Sequence, residues 1–372
     1  MLGQAFLHQW SDSLTFAALG WHLALLGNPL LVAGLQSLVY LAQGLRVLSA
    51  GWVEAIGPRS SFGVGLWVGG LALAGIGLAF LDEPVSHTLV LLLAGLFLAA
   101  NGLVVNAWST YLPRRCPATL KRANARVRIA ETLGDLLGDV LGPIVYAATH
   151  FLPFFLGAVG RFAAIALTDR LHAVDRVQGR VGVGLRNALH VLMGDPALRI
   201  SLSLGALAQA ALALVFGVLP FWARTSGTPA FLYGFLLAAF TLGLLFGNAH
   251  AATGDTRNHI RRALLLLFGS ITLMLFQHPA PGLLGLLGLG TGTSALGLQF
   301  AYIRQSRSPK GGVAQVSALS ALTSTVVGAL FSMLAGVLAK ITVLLPLLAG
   351  LGLLVMASEF ARSMPDVDMD AP

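Results

Sequence analysis

Apolar runs about twenty residues long recur from one end of the chain to the other. A helix needs roughly 20 mostly apolar residues to cross the ~30 Å hydrocarbon core of a bilayer. Charged side chains, Pro and Gly separate twelve such runs. We therefore predict an all-α membrane protein with twelve transmembrane helices, near residues 5–27, 30–50, 62–81, 87–111, 126–149, 151–168, 197–222, 229–250, 260–277, 281–303, 313–338 and 341–360.

The scarcity of charged residues supports this fold class. Only 10% of the 372 residues are charged, whereas a soluble domain carries about 25%. Glycine is abundant, at 44 residues, and small residues let membrane helices pack closely. A large soluble helical protein is therefore the less favoured interpretation.

The basic residues predict an orientation in the membrane. The formal net charge is +8, but Lys and Arg lie between the apolar spans, as the positive-inside rule describes. We therefore expect no nucleic-acid partner. All 23 basic residues except Arg46, Arg161, Arg224 and Lys340 lie in the predicted loops of one side or at the span ends there. We predict a multi-pass protein of the inner (cytoplasmic) membrane with both termini in the cytoplasm.

A hydrophilic connector divides the predicted spans into two groups of six. It predicts an N-terminal bundle at 1–168, a cytoplasmic connector at 169–196 and a C-terminal bundle at 197–372. Two bundles that rock about a midplane cavity are typical of secondary transporters, which work by alternating access. We expect a monomer whose partners are the lipid bilayer and a small solute.

The sequence offers no sign of catalysis or of a resident cofactor. It contains no GxxxxGK[ST] motif, which would indicate nucleotide binding. Cys116 is the only cysteine, so a cysteine metal cluster is excluded. We predict that the chain is not an enzyme and holds no cofactor, although a transported divalent metal remains compatible with the sequence.

Three acidic residues recur every fourth position in the fifth predicted span, at Glu131, Asp135 and Asp139. This spacing places them on one helix face, where like charges repel more strongly as the dielectric falls. Protonation, a bound cation or a basic partner such as Arg128 or Arg161 would relieve the repulsion. Coupling to protons or another ion is one interpretation, and a structural salt-bridge network is the other.

Three glycines, Gly134, Gly138 and Gly142, alternate with these acids. A stripe of small residues lets another helix approach closely or slide. The stripe indicates either an interface at which the two bundles rock or a simple packing seam.

The first predicted span holds His8 and Asp12 one helical turn apart. Neutral imidazole and carboxylate can donate lone pairs to one divalent cation, so the pair is a candidate metal or substrate site. A proton relay or a hydrogen-bonded pair has the same spacing. Arg161 in the sixth span could pair with Asp12 and would then repel a cation.

The loop after the second span resembles the major facilitator motif between spans two and three. In that motif a glycine is followed by an acid, another glycine and basic residues. Here these positions are Gly51, Glu54, Gly57 and Arg59, with Pro58 in place of one basic residue. The resemblance implies the major facilitator fold and a gate formed by Glu54 and Arg59, with Arg128 as a further gating residue.

Two branches of this superfamily resemble the chain. The first is the ferroportin family, whose first span carries a metal-binding Asp. The residues that carry this resemblance are Trp10, Ser11 and Asp12, then Trp52, Val53 and Glu54, then Asn124, Arg128, Glu131 and Asp135. It implies a divalent metal exporter, with iron as the cargo, Asp12 as a ligand and His8 assisting.

The second branch exports macrolides and siderophores. Its Gly-Pro-x-x-Gly-Gly element falls on 138–143, with Asp139 in place of the proline, and the turn Gly27, Asn28, Pro29 is also usual in it. The span-seven stretch 214–219 lacks the His or Cys of the ferroportin metal site. This resemblance implies proton-coupled efflux of drugs, siderophores or other amphipathic organic molecules, which is our alternative to metal export.

Overall fold

The computed structural model describes residues 1–81, 85–115, 120–168, 185–250, 256–308 and 313–363. Every regular element in these ranges is a helix. The fourteen described helices are α1 (Leu2–Leu25), α2 (Pro29–Ile56), α3 (Pro58–Ala79), α4 (His87–Arg115), α5 (Leu120–Ala148), α6 (Leu152–Thr168), α7 (Leu185–Gly194), α8 (Pro196–Phe216), α9 (Leu219–Thr225), α10 (Ala230–His250), α11 (Thr256–Met274), α12 (Pro279–Arg307), α13 (Val313–Ala339) and α14 (Leu344–Arg362).

Twelve of these helices are long, and each contains or overlaps one predicted span. Seven of the described helices are long and apolar enough to cross a membrane, and 29–45 and 152–168 form shorter apolar helical segments. The remaining three, α1, α5 and α11, carry polar or charged residues along their length. The chain is a multi-pass membrane protein, and the predicted fold class is confirmed.

The seventh predicted span, 197–222, is not one continuous helix. Helix α8 ends at Phe216 and the short helix α9 begins at Leu219, with Pro220 in its first turn. Proline lacks the N–H that would continue the hydrogen-bond ladder, so it is favoured where a helix starts. At the other end of α8, the Asp195 side chain accepts hydrogen bonds from the backbone N–H groups of Ala197 and Leu198 at 2.7 and 3.1 Å, a regular N-cap.

The chain divides into two compact units, each described here by itself. Unit 1 comprises Met1–Leu23, Leu41–Val181 and Ala230–Ala238, and unit 2 comprises Ala24–Tyr40, Gly182–Pro229 and Ala239–Pro372. Helices α1, α2 and α10 therefore contribute to both units, α1 with only its last two residues in unit 2. The predicted connector falls largely on residues 169–184, which lie outside the described part of the chain. The predicted boundaries at 168 and 197 stay predictions.

Aromatic and aliphatic side chains fill the core of unit 1. Phe62, Trp108 and Tyr111 contact one another edge to face, with the Phe62 and Trp108 ring centroids 4.8 Å apart, a favoured geometry for aromatic pairs. In unit 2, Leu214, Val218 and Ala335 form a smaller buried cluster.

Candidate functional site

A buried ion pair links α1 and α6 inside unit 1. Arg161 donates a hydrogen bond from Nη2 to Oδ1 of Asp12, and Asn101 on α4 donates from Nδ2 to Oδ2 of the same carboxylate. The exposed fractions of Arg161, Asp12 and Asn101 are 0%, 4% and 9%. Both oxygens of Asp12 are therefore occupied by donors, and the carboxylate charge is balanced within the protein.

The surroundings of Arg161 hold its guanidinium in place. Its Cζ lies 4.7 Å from the centroid of the Phe97 ring, within the range of a cation–π contact. A Cβ at Gly69 would come within 2.9 Å of Nη1 of Arg161, so this glycine leaves room for the guanidinium. Nε and Nη1 are buried and have no hydrogen-bond partner among the described residues. Asp12 is thus the anion that compensates the arginine charge.

His8 lies beside this pair. Its Nδ1 is 3.7 Å from Oδ1 of Asp12, and the side chain is 1% exposed. The structure thus brings together the three residues that the sequence suggested for metal or substrate binding. Among the described residues, no group of three or more His, Cys, Asp or Glu side chains is arranged to hold a metal ion.

Asp135 has a different environment from Asp12. Gln9 donates from Nε2 to Oδ1 of Asp135 at 2.7 Å, and the Ser13 hydroxyl donates to the same oxygen. Both donors are neutral, and no described basic side chain lies within 4.0 Å of this carboxylate. The sequence pattern did not single out Gln9 or Ser13, because their partner is more than 120 residues away in the chain.

Glu131 and Asp139, the other two acids of α5, have surroundings that differ from those of Asp135. Glu131 forms an ion pair with Arg128 at 3.2 Å, and the Arg128 side chain is 83% exposed. Asp139 lies where α10 crosses α5, since a Cβ at Gly234 would come within 2.8 Å of the Asp139 backbone oxygen. The three predicted coupling residues thus share one helix but not one environment.

The glycine stripe of α5 packs against α1 within unit 1. A Cβ at Gly134 would lie 2.7 Å from the backbone oxygen of Phe6, and one at Gly138 would lie 2.6 Å from the backbone nitrogen of Leu14. Gly142 faces the same helix. These glycines form a seam that lets α5 and α1 approach closely enough for Gln9 to reach Asp135.

The predicted gate is only partly within the described residues. Helix α3 begins at Pro58 after Gly57, whose φ of 88° is a conformation that favours glycine. Arg59 is exposed in the first turn of α3. The side chain of Glu54 lies outside the described part of the chain, so a contact between Glu54 and Arg59 stays a prediction.

A polar cavity of about 500 Å³ lies among α1, α4 and α5 of unit 1. Its polar lining residues are Gln9, Asn101, Trp108, Ser109, Asn124, Arg128 and Glu131. Two of them each donate one of the hydrogen bonds described above, Gln9 to Asp135 and Asn101 to Asp12. The cavity therefore borders the partners of both carboxylates, and we call it the unit 1 cavity.

Several solved structures resemble this chain over nearly its whole length. A variant of the nucleoside transporter NupG aligns with a TM-score of 0.79 at 12% identity, over 97% of this chain and 99% of that chain. A bacterial homolog of the human lysosomal transporter Spinster gives 0.73 at 13% identity, over 98% and 95%. The chain has the major facilitator fold.

An auto-inhibited peptide transporter of the POT family has the same fold, with a TM-score of 0.71 at 14% identity over 100% of this chain and 98% of that chain. No protein-family model and no curated protein sequence matches the chain. The resemblance is therefore one of fold, and the cargo must be inferred from the residues of this chain.

Proposed function

We propose that the chain is a secondary active transporter that exports a small organic solute from the cytoplasm by alternating access, coupled to protons through Asp135. The major facilitator fold and the multi-pass topology support transport. Similar folds carry out nucleoside and peptide transport in the proteins named above, and the resemblance to efflux branches supports the outward direction. The observation that carries the proposal is the contrast between the partners of Asp12 and those of Asp135.

Asp12 is poorly suited to an incoming cation. A divalent ion at this carboxylate would displace Arg161 or lie beside its positive charge. In a low-dielectric interior, such like charges repel strongly. Displacing Arg161 would leave a buried guanidinium without its anion, which is strongly unfavourable.

Asp135 is better suited to gain and lose a proton. Its hydrogen bonds come from neutral donors on α1, so its charge is not balanced by an ion pair within 4 Å. Burial favours the protonated form of a carboxyl group, whereas hydrogen bonds and nearby positive charge favour the ionised form, so a carboxyl group held in this way is suited to change its protonation state. Gln9 lines the unit 1 cavity, so a hydrogen-bond partner of Asp135 borders that cavity.

The test measures solute-driven proton movement in proteoliposomes that contain a fluorescent pH indicator. The external solutes are gluconate, glucose, uridine and dialanine, added one at a time to the wild type, Asp135→Asn and the control Glu359→Gln. Glu359 is an exposed acid on α14, remote in sequence from α5. We expect at least one solute to change the internal pH with the wild type and with Glu359→Gln, and no change with Asp135→Asn.

Equal proton movement by Asp135→Asn and the wild type would overturn the assignment of Asp135. Failure of all four solutes, with the protein shown to be folded, would count against an organic cargo of these classes.

A ferroportin-like exporter of divalent metal, with iron as the cargo, is the second candidate. The observation that favours it is the 3.7 Å approach of His8 to Asp12. Under this alternative, cobalt added outside would quench a metal-sensitive dye inside the same proteoliposomes, and Asp12→Ala would abolish the quenching. Cobalt entry without solute-driven proton movement would replace our first proposal with this one.

A further inference from the structure

A second polar cavity lies within unit 2, among α8, α12 and α13. Its volume is about 210 Å³, which is room for about seven water molecules at ~30 Å³ each. Pockets for drug-sized ligands measure about 300–1,000 Å³, so this one suits a smaller solute. Its polar lining residues are Ser201, Gln209, Thr293, Arg304, Ser320 and Ser324. We call it the unit 2 cavity.

Arg304 is the charged residue among those that line this cavity. Its Nε is buried and has no hydrogen-bond partner, and its guanidinium forms no ion pair with any residue that the structure describes. Arg307, three residues later in α12, is exposed. A basic residue that serves only membrane orientation needs to reach water or lipid headgroups, and Arg307 meets that need. Arg304 is less exposed and lines the cavity, where its unpartnered Nε is a donor available to a ligand.

Three hydroxyl groups that line the cavity already donate hydrogen bonds within the protein. Ser201, Thr293 and Ser320 each donate to a backbone carbonyl of their own helix, at 2.8, 2.7 and 2.9 Å. Their oxygens still carry lone pairs and therefore act as acceptors. These positions fit O–H or N–H groups on a solute, whereas Arg304 fits a negatively charged oxygen.

The charge of the cavity limits the charge of its ligand. One guanidinium balances one negative charge, and a planar carboxylate matches its two parallel N–H groups. A phosphate monoester would bring a second negative charge that no other lining residue balances. We infer that the unit 2 cavity binds a small hydroxylated monocarboxylic acid, with Arg304 holding the carboxylate. The inference rests on the proposed function, since it names the class of solute that the transporter carries.

The test measures ligand binding to the purified full chain, through the midpoint of thermal unfolding in detergent. Glycerate and gluconate are the acidic probes, glycerol and glucose are their neutral counterparts, and glycerol phosphate is the dianionic probe. We expect the two acids to raise the midpoint, because a ligand that binds only the folded state stabilises it. Glycerol and glucose are expected to have no effect, and glycerol phosphate a weaker one than glycerate.

Three variants locate the site. Arg304→Gln removes the charge and should weaken binding of both acids at least about tenfold, the loss expected for a hydrogen bond to a charged group. Arg307→Gln removes an exposed charge from the same helix end and should bind like the wild type. Arg304→Lys keeps the charge and should retain part of the binding, which separates recognition from folding if Arg304→Gln is poorly folded.

Equal stabilisation by glucose and gluconate would overturn the inference. So would unchanged binding by Arg304→Gln, or no stabilisation of the wild type by either acid. The proton assay distinguishes this failure from failure of the proposed function. If uridine or glucose drives proton movement but neither acid binds, only the inference about the unit 2 cavity is wrong. If the acids bind but no solute drives proton movement, only the proposed coupling to protons is wrong.

Discussion

Two arginines on membrane helices, Arg161 in unit 1 and Arg304 in unit 2, have opposite surroundings. Arg161 is fully buried, and its charge is balanced by Asp12. Arg304 lines a cavity and forms no ion pair with a described residue. The first arginine is therefore held by the protein, whereas the second lies in the last turn of α12 with its charge available to a ligand.

The α1–α5 seam of unit 1 and the wall of the unit 2 cavity also differ in how closely a glycine is packed. Helices α1 and α5 of unit 1 meet with glycines at backbone contact distance, as Gly138 illustrates. Around the unit 2 cavity, a Cβ at Gly205 would make only an ordinary contact, with the nearest atoms of Phe300 at 3.7 Å. The α1–α5 seam therefore has no room for an added methyl group, whereas the wall of the unit 2 cavity at Gly205 has.

The largest expected effect comes from breaking the ion pair of unit 1. Asp12→Ala leaves the guanidinium of Arg161 buried without its anion. The loss of one partner of a buried pair typically costs about 3–5 kcal/mol, so we expect a large decrease in the thermal unfolding midpoint. The measurement is thermal unfolding in detergent without added solute.

The double variant Asp12→Ala, Arg161→Leu is the control for this prediction. Replacing a whole buried pair by apolar residues is often close to neutral, so the second change should restore much of the lost stability. If the double variant is less stable than Asp12→Ala alone, the ion pair is not the reason for the loss. A stable Asp12→Ala single variant would contradict the claim that Asp12 compensates Arg161.

A smaller effect on stability is expected from replacing Gly138 or Gly205 by alanine, which adds one methyl group. In Gly138→Ala the new Cβ would lie 2.6 Å from a backbone nitrogen and 2.7 Å from a backbone oxygen of α1. The two helices must therefore separate, at a cost of about 1–3 kcal/mol. Gly205→Ala makes only an ordinary contact and also raises helix propensity.

We expect Gly138→Ala to unfold at a lower temperature than the wild type, and Gly205→Ala to be unchanged or more stable. Equal destabilisation by the two changes would mean that the packing difference between the seam of unit 1 and the cavity of unit 2 has no energetic consequence.

The fold could be predicted from the sequence because apolar run length and charge placement are local signals. The predicted span 151–168, for example, corresponds to the helix Leu152–Thr168. The length of the apolar run 197–222 does not show the interruption after Phe216. Gly217 and Pro220 were the available signal, since Pro favours the first turn of a new helix.

The candidate site could be predicted only in part. Spacing alone placed Asp135 on a face with two other acids, but its donors come from a distant helix that must first pack against α5. Arg304 and Arg307 lie three residues apart, so they are neighbours on the helix surface. A small rotation of α12 decides which of them faces the cavity, and no sequence pattern reports that rotation.

The smallest effect is expected at an exposed ion pair that has the same chemistry as the pair of unit 1. Arg362 and Glu359 lie 2.9 Å apart in α14, with side chains 68% and 59% exposed. Because water screens such pairs, they contribute only about 0–1 kcal/mol. Glu359→Gln should therefore shift the unfolding midpoint far less than Asp12→Ala does, and this small shift should shrink further at high salt. If Glu359→Gln lowered the unfolding midpoint as much as Asp12→Ala, burial would not distinguish the two ion pairs. There would then be no physical reason to hold that Arg161 occupies Asp12 and leaves no place for a cation.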